Sequence, residues 1–454
     1  MTIQTLFNRL RARLQTFRKD EGGHVVLTFA LATIPIIGFV GAAVDYSRAN
    51  SDKAAMQAAI DATALMLSKT AANLTQAQLN TNATNYFKAL FNRTDVNNIV
   101  ITPTYTTSGA YQIVLTATGS VPTTFTKVLG MSSVNINVSS TVKWGNARLR
   151  VALVLDNTGS MAQNNKLTAL KTATNNLLTQ LQNAASQNGD VYVSIIPFVK
   201  DVNVDSVNYN ATWIDWTDWD DNNGSCSNWN YNTKSSCTGA GKNWNPDNHN
   251  TWNGCVVDRG NSSGPSTLNT DTNVTAVAVG NTATMYAAEQ YAYCPSAAVM
   301  ALNYNWSAMT SLVNSMTANG NTNQGLGLQL GWMSLVGGGP FPTPPAMDPN
   351  YTYQQVIILL TDGLNTQNRW YTNQSQIDTR QQMTCNNINA AGITLYTVQV
   401  NTSGDPTSTL LQNCAGSPGK YPDSSKFFLL TSSTQIVTTF GQIATELSNL
   451  RVAK

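Results

Sequence analysis

Val151-Ala152-Leu153-Val154-Leu155-Asp156-Asn157-Thr158-Gly159-Ser160 decides the fold of this chain. Val356-Ile357-Ile358-Leu359-Leu360-Thr361-Asp362-Gly363 answers it much later. Each stretch opens with an apolar run, short and bounded by turn formers, which reads as a strand buried on both faces of a parallel sheet. Ligands of open parallel sheets lie outside the carboxyl ends of the strands. Both runs end there in an Asp, with Thr158, Ser160 and Thr361 close by in sequence. Carboxylate and hydroxyl oxygens gathered at one sheet end form the donor set a hard divalent cation takes.

Outward from these motifs the pattern alternates strand with helix, the signature of a doubly wound α/β domain with a mostly parallel sheet. The spacing predicts strands over 148–155, 191–199, 355–360, 393–400 and 426–430. It predicts helices over 166–183, 296–317, from 322 to 335, 376–390 and 433–451. Residues 203–295 hold six of the ten tryptophans, four of the six cysteines and many Asn, Asp and Gly, and read as an irregular insertion. Gly337-Gly338-Gly339-Pro340 reads as a helix stop and turn. Asn321-Thr322-Asn323 precedes a helix, where the Thr322 hydroxyl can join the oxygens of Asp156, Thr158, Ser160 and Asp362. Few protein charges and open positions for water favour Mg²⁺, with Mn²⁺ or Ca²⁺ as alternatives.

The N-terminal part is different. Val25 to Val44 carries no charged residue and is long enough to cross a bilayer as a helix. Residues 1–20 carry a net +4 against −2 for the rest. The positive-inside rule therefore places residues 1–24 in the cytoplasm and the bulk outside. A cleaved signal peptide is the alternative; its apolar region would be shorter, and no Ala-x-Ala-like cleavage site is obvious before Asp45. Residues 3–18 have amphipathic spacing, fitting a membrane-surface helix or a plain basic segment. A helical stripe runs on to Lys69, a second helix covers 75–92, and alternating runs over 100–105, 111–116 and 134–142 predict strands. Nothing after residue 20 resembles a basic nucleic-acid surface. Six cysteines, all on the expected outside, read as three disulfides. Fifteen pairings are open, of which sequence proximity favours 226–237, 255–294 and 385–414.

On Asp156, Thr158, Ser160, Thr322 and Asp362 the chain resembles the von Willebrand factor A family with its metal-ion-dependent adhesion site (MIDAS). The resemblance implies that Asp156 and Ser160 are ligands, with Thr158 in place of a Ser. It implies that Thr322 and Asp362 complete the protein donors and a partner's carboxylate completes the coordination. The span, Asp45-Tyr46, Gly254 to Arg259, Cys294-Pro295, Gly325 to Trp332, Pro340-Phe341 and Leu450-Arg451-Val452 are similar to TadG-like proteins of tight-adherence (Flp) pilus assembly. Thr28 departs from the Glu that prepilin-type processing favours. The expected organisation is a cytoplasmic segment 1–24, a span 25–44, a pilin-like α+β region 45–146, and an A domain 147–454 interrupted by 203–295. The expected function is metal-dependent binding in assembly, anchoring or adhesion of pili at the bacterial inner membrane. Its partner is a pilus or envelope protein that supplies an acidic side chain.

Rival readings are weaker. Asp-x-Thr-Gly-Ser by itself makes an ordinary turn and helix cap. A structural envelope protein needs no metal. Asp156-Asn157-Thr158-Gly159-Ser160 also resembles the phosphorylation loop of P-type ATPases, but Asn157 stands where that loop has Lys. Asn157 also interrupts the Asp-Thr-Gly of aspartic proteases. The histidines are His24 and His249 alone, no phosphate-cradling Gly-rich loop occurs, and no catalytic residue is expected. Asp215, Asp218, Asp220, Asp221 and Asn222 lack EF-hand spacing and read as a solvated acidic loop. The tryptophans around them read as core of the insertion, with a recognition surface as the alternative.

Overall fold

The computed structural model describes residues 23–71, 74–106, 111–144, 147–349 and 351–452. The basic N-terminal segment with its amphipathic stretch lies outside them. The chain divides into two compact units, residues 1–144 and 145–454.

In the first unit a long helix, α1 (Gly23–Ser68), is followed by α2 (Gln76–Leu90) and strands β1 (Asn97–Thr106), β2 (Tyr111–Pro122) and β3 (Ser133–Trp144). Thr75 and Gln78 start α2 with a reciprocal capping box, each side chain accepting from the other's backbone N–H. The strands form an antiparallel sheet in the order β1-β2-β3. Ile113, Leu115, Ala117 and Val121 point to one face, against Met56, Ile60, Ala64 and Leu67 of α1. Strand β2 continues beyond the sequence reading of 111–116, because Gly119 interrupts the apolar face in the sequence while Ala117 and Val121 on either side of it remain buried. The earlier part of α1 is apolar and exposed. From Thr28 the helix is long and apolar enough to cross a membrane.

The second unit is built on β4 (Ala147–Asp156), α3 (Lys166–Ala184) and β5 (Val191–Phe198). The insertion then adds β6 (Val202–Asn203), β7 (Ile214–Asp215), α4 (Thr217–Asn222), β8 (Gly224–Cys226), α5 (Lys234–Gly239), β9 (Trp244–Pro246), β10 (Cys255–Val257) and β11 (Tyr286–Glu289). The remainder comprises β12 (Met300–Asn303), α6 (Trp306–Ser315), α7 (Gln324–Val336), β13 (Thr352–Thr361), α8 (Gln374–Ala390), β14 (Thr394–Val400), α9 (Thr409–Cys414), β15 (Phe427–Leu430) and α10 (Thr434–Val452).

The main sheet has the order β12-β5-β4-β13-β14-β15, parallel except for β12 at one edge. Its apolar strands divide by the two-residue period. Val151, Leu153 and Leu155, with Val356, Ile358 and Leu360, pack against α3 and α10. Ala152, Val154, Ile357 and Leu359 face the other way, against α7 and α8. Sequence spacing predicts one helix over 296–317. The structure corrects this, since Met300–Asn303 is an edge strand and the helix starts at Trp306. Four residues carry too little pattern to reveal a strand that only its pairing with β5 defines.

The insertion is more ordered than its composition suggests. It forms a four-stranded sheet, β6-β10-β11-β7, and a β8–β9 hairpin. Trp219 and Trp252 are buried in the core shared with α7, whereas Trp229 is exposed. The acidic stretch is well partnered: Asp218 by Arg369, Asp221 by Lys234, Asp220 by the His249 ring, and Asp215 by the backbone N–H and hydroxyl of Thr217. The disulfides are Cys226–Cys237, Cys255–Cys294 and Cys385–Cys414, with Cα separations of 5.7, 5.8 and 5.1 Å. These are the pairings proximity favours.

Helix α7 is buried almost all round, and glycine lets it approach the sheet. A Cβ on Gly331 would stand 2.5 Å from Val154 Cγ2, and one on Gly327 would stand 2.7 Å from the Phe198 ring. Val154 is β-branched and fully buried on a central strand, so it has no room to yield. We expect Gly331→Ala to destabilise the second unit by about 1–3 kcal/mol, the overpacking outweighing the roughly 1 kcal/mol helix-propensity gain. Urea unfolding would check this, and a variant more stable than wild type would refute the close packing.

Candidate metal centre

Strand β4 leads to β5 on one side, and the chain returns through β13 on the other side of β4. The β4–β13 boundary is therefore the point where strand order reverses, the place where such sheets open a crevice. Leu155 pairs with Leu360 in register, so Asp156 and Thr361 leave the sheet side by side.

Asp156 is fully buried. Its Oδ1 accepts from the Thr158 N–H at 2.8 Å and its Oδ2 from the Thr361 hydroxyl at 2.7 Å. The Thr158 and Ser160 hydroxyls share a hydrogen bond of 3.0 Å. Ser160 donates to Asp362 Oδ1 at 2.6 Å. Asp156, Thr158, Ser160 and Asp362 thus form one connected cluster. Burial, with the nearby Asp362 charge adding to it, pushes the Asp156 carboxyl up to about 7.

Thr322 comes from a third stretch. Asn319 donates its N–H to Asn157 O at 2.8 Å, and Gly159 donates to Gly320 O at 3.0 Å, which places this loop beside the first. The Thr322 N–H donates to the Thr366 hydroxyl at 2.8 Å, and its carbonyl accepts from Thr366 and Gln367. The loop after β13 therefore holds it from the other side. The hydrogen bonds that connect the other four residues do not extend to the Thr322 hydroxyl.

Sequence reasoning missed several contributors. Lys166, the first residue of α3, is buried and makes an ion pair with Asp362 Oδ2. Two carboxylates against one ammonium leave one formal negative charge. Asn323 caps α7, accepting from Leu326 N at 3.3 Å, and donates to Asp258 Oδ2 at 2.8 Å. Asp258 also accepts the Arg369 N–H at 3.1 Å, which ties the insertion to the loop after β13. Asn365 accepts from Gln324 N and donates to Asp378 and Gln381. A Ser/Thr/Asn-rich sequence offers no local signal for such pairings.

Among the described residues, no group of three or more His, Cys, Asp or Glu side chains is arranged to hold a metal ion. The donor set here is two carboxylates with hydroxyls, which matches a hard, partly hydrated cation rather than zinc's usual nitrogen and sulfur ligands.

This strand order, with oxygens gathered at its switch point, defines the α/β class to which von Willebrand factor A-like domains belong. At the other end of the chain, residues 23–68 match the family model described as putative Flp pilus-assembly TadE/G-like. Comparison with curated proteins gives no match. Among solved structures, the pilus adhesin SpaC from Lactobacillus rhamnosus GG is 14% identical with a TM-score of 0.37. The match covers 80% of this chain and 36% of that one, so the chain spans about a third of the adhesin's length. The von Willebrand factor domain of the type V pili tip protein Mfa5 from Porphyromonas gingivalis is 10% identical, with 68% and 97% covered and a TM-score of 0.35. Proximal thread matrix protein 1 from the mussel byssus, solved with a zinc-occupied MIDAS motif, is 12% identical, with 67% and 46% covered and a TM-score of 0.31. Strand order and register, not these distant likenesses, carry the fold assignment.

The support behind Thr322 has its own pH signature. Burial, and secondarily the Asp271 charge, push the Asp258 carboxyl up to about 6, against the pull of the Arg369 N–H and the Asn323 amide; buried Asp201 lies near enough to feel it too. A carboxyl raised in the folded state keeps its proton while the unfolded chain loses one. Its stabilising effect is therefore whole below about pH 4 and is lost as pH rises to about 6. We expect Asp258→Asn, which keeps the acceptor for both donors, to flatten the decline in stability between pH 4 and 6 by on the order of 2–3 kcal/mol. Thermal unfolding across that window checks this; an unchanged slope would contradict it.

Proposed function

We propose that the chain is a membrane-anchored, extracytoplasmic, metal-dependent binding protein acting in assembly, anchoring or adhesion of tight-adherence (Flp) pili. The single observation that carries the metal reading is the hydrogen bond from Ser160 to Asp362, closing a buried cluster that already contains Asp156 and Thr158. In this reading Asp156, Thr158, Ser160, Thr322 and Asp362 hold Mg²⁺, or Mn²⁺ or Ca²⁺. The ion supplies a positive charge to which an Asp or Glu side chain of a pilus or envelope protein coordinates. This chain's residues select a hard ion, orient their oxygens and exclude competing water through burial of Asp156. The match of residues 23–68 to a pilus-assembly model and the apolar length of α1 support a single membrane span; in this reading the membrane is the inner one, and the basic residues 1–20 keep the N-terminus in the cytoplasm. In this reading the first unit is the pilin-like region and the second the binding domain.

One observation favours a metal-free structural role: Lys166 already places a cation on Asp362. The phosphotransfer reading has less, because both Asp156 oxygens accept hydrogen bonds and the carboxylate is fully buried.

Titration calorimetry and thermal unfolding with Mg²⁺ and Mn²⁺ separate the first two. In the metal reading, either ion at a hundredfold its Kd adds about 2.7 kcal/mol to stability. Ser160→Ala, which keeps the Lys166–Asp362 pair, should weaken the response, and Asp362→Asn should abolish it. Pull-downs from envelope extract should lose the same partner with chelator and with Asp362→Asn. No heat, no shift and chelator-insensitive capture would leave the structural role. Lys166→Met should raise Mn²⁺ affinity, since removing the ammonium leaves both carboxylates uncompensated, and should lower stability without metal. Affinity that drops instead would make Lys166 a support of the site rather than a competitor.

A further inference from the structure

The first unit carries an apolar surface that neither the sheet nor the proposed binding site uses. Between β2 and β3 the chain makes a tight 3₁₀ turn over Thr126–Leu129. Val128 is 87% exposed and Leu129 68%, and Phe125 and Met131 are also exposed. Isolated exposed apolar residues are ordinary, but four within seven positions at one turn form a patch. The turn is held firmly in place. Asp45 of α1 accepts the backbone N–H groups of Thr124, Phe125 and Thr126 at 2.9, 2.9 and 2.7 Å, and the Thr126 hydroxyl at 3.0 Å. Met131 N donates to Thr126 O and Thr123 N to Ser132 O, closing the turn, with Gly130 in the left-handed region at φ 89°.

The turn lies against the apolar end of α1. A Cβ on Gly41 would stand 2.5 Å from Phe125 Cβ, so this glycine is what lets the turn lie on the helix. On the same helix Phe39, Val40 and Val44 are exposed. With the apolar span ending at Val44, Gly41 lies roughly 5 Å inside its boundary at 1.5 Å rise per residue. That is about the depth, roughly 5–10 Å, at which membrane-surface elements bury their apolar side chains. Lys127, the turn's cation, suits the headgroup layer above.

We propose that the 125–131 turn dips into the outer face of the bilayer that α1 crosses, its side chains among the acyl chains next to the helix. The occupant is lipid because the patch continues the apolar surface of the helix at the level where that surface ends. Asp45 then has a physical role. A carboxylate at the edge of the hydrocarbon is tolerable only when its oxygens are satisfied, and here the turn satisfies and covers them, leaving Asp45 4% exposed. Helix and turn give the first unit two points of attachment, which stops it rolling about the span. This inference rests on α1 crossing a membrane.

The test uses the full chain in phosphatidylethanolamine/phosphatidylglycerol vesicles. All six native cysteines are paired, so a single introduced thiol takes an environment-sensitive fluorophore. Labels go on Val128→Cys and Leu129→Cys, with Phe39→Cys on the span and Thr81→Cys on exposed α2 as references. We expect the labels at 128 and 129 to shift blue and lose intensity to shallow spin-labelled lipid as at position 39, with neither effect at 81. Water-like emission at 128 and 129 beside a lipid-quenched label at 39 overturns the dipping turn and leaves the span intact. Blue emission there that lipid does not quench, but that dilution of the protein in the vesicles reverses, also overturns it, in favour of a second copy. A label at 39 that lipid does not quench overturns the span, and the turn with it. Val128→Asp/Leu129→Asp should retain the fold by circular dichroism and remove the lipid quenching of a label at Met131→Cys. Quenching that persists would count against the proposal.

Discussion

The parallel pairing of β4 with β13 sets two carboxylates side by side in a buried place, and much of the second unit is arranged around that constraint. Like charges out of water repel, and burial penalises each. The chain answers with the Thr158 N–H and the Thr361 hydroxyl on Asp156, and with Ser160 and Lys166 on Asp362. These partners come from the strand ends, the turn after β4 and the start of α3. The local geometry of three elements is thereby tied to one electrostatic problem. In the proposed reading a hard cation is another answer to it.

The insertion is part of this arrangement rather than an appendage. Its strand β10 leads to Asp258, which takes hydrogen bonds from Asn323 at the start of α7 and from Arg369 after β13. Arg369 continues to Asp218 in α4. The loop that bears Thr322 is therefore gripped by the first motif, by the loop after β13 and, through Asn323, by the insertion. Helix α7 can sit beneath this loop because Gly327 and Gly331 let its backbone lie on Phe198 and Val154.

The first unit uses a related device at another scale. Asp45 collects the backbone N–H groups of a turn much as Asp156 collects that of Thr158, and in both cases a carboxylate at an element's edge fixes a neighbouring loop. Around Asp45 the result is an apolar turn pinned to an apolar helix.

What could be read from the residues alone was whatever is written locally. The runs before Asp156 and Asp362 announced buried strands, the spacing of Leu170, Leu177 and Leu181 announced α3, and a charge-free run announced the apolar part of α1. The cluster of Asp156, Thr158, Ser160 and Asp362 followed because each terminates or follows such a strand. Local pattern could not supply the edge strand β12, the Lys166 ammonium on Asp362, the Asp258–Asn323 support or the hold of Asp45 on the 123–132 turn. Those depend on which distant segments meet, and a lysine, an aspartate or a four-residue strand looks the same whether or not its partner arrives. Periodicity is a property of neighbours in the chain. Charge compensation and close packing are properties of neighbours in space, and only the folded sheet decided them.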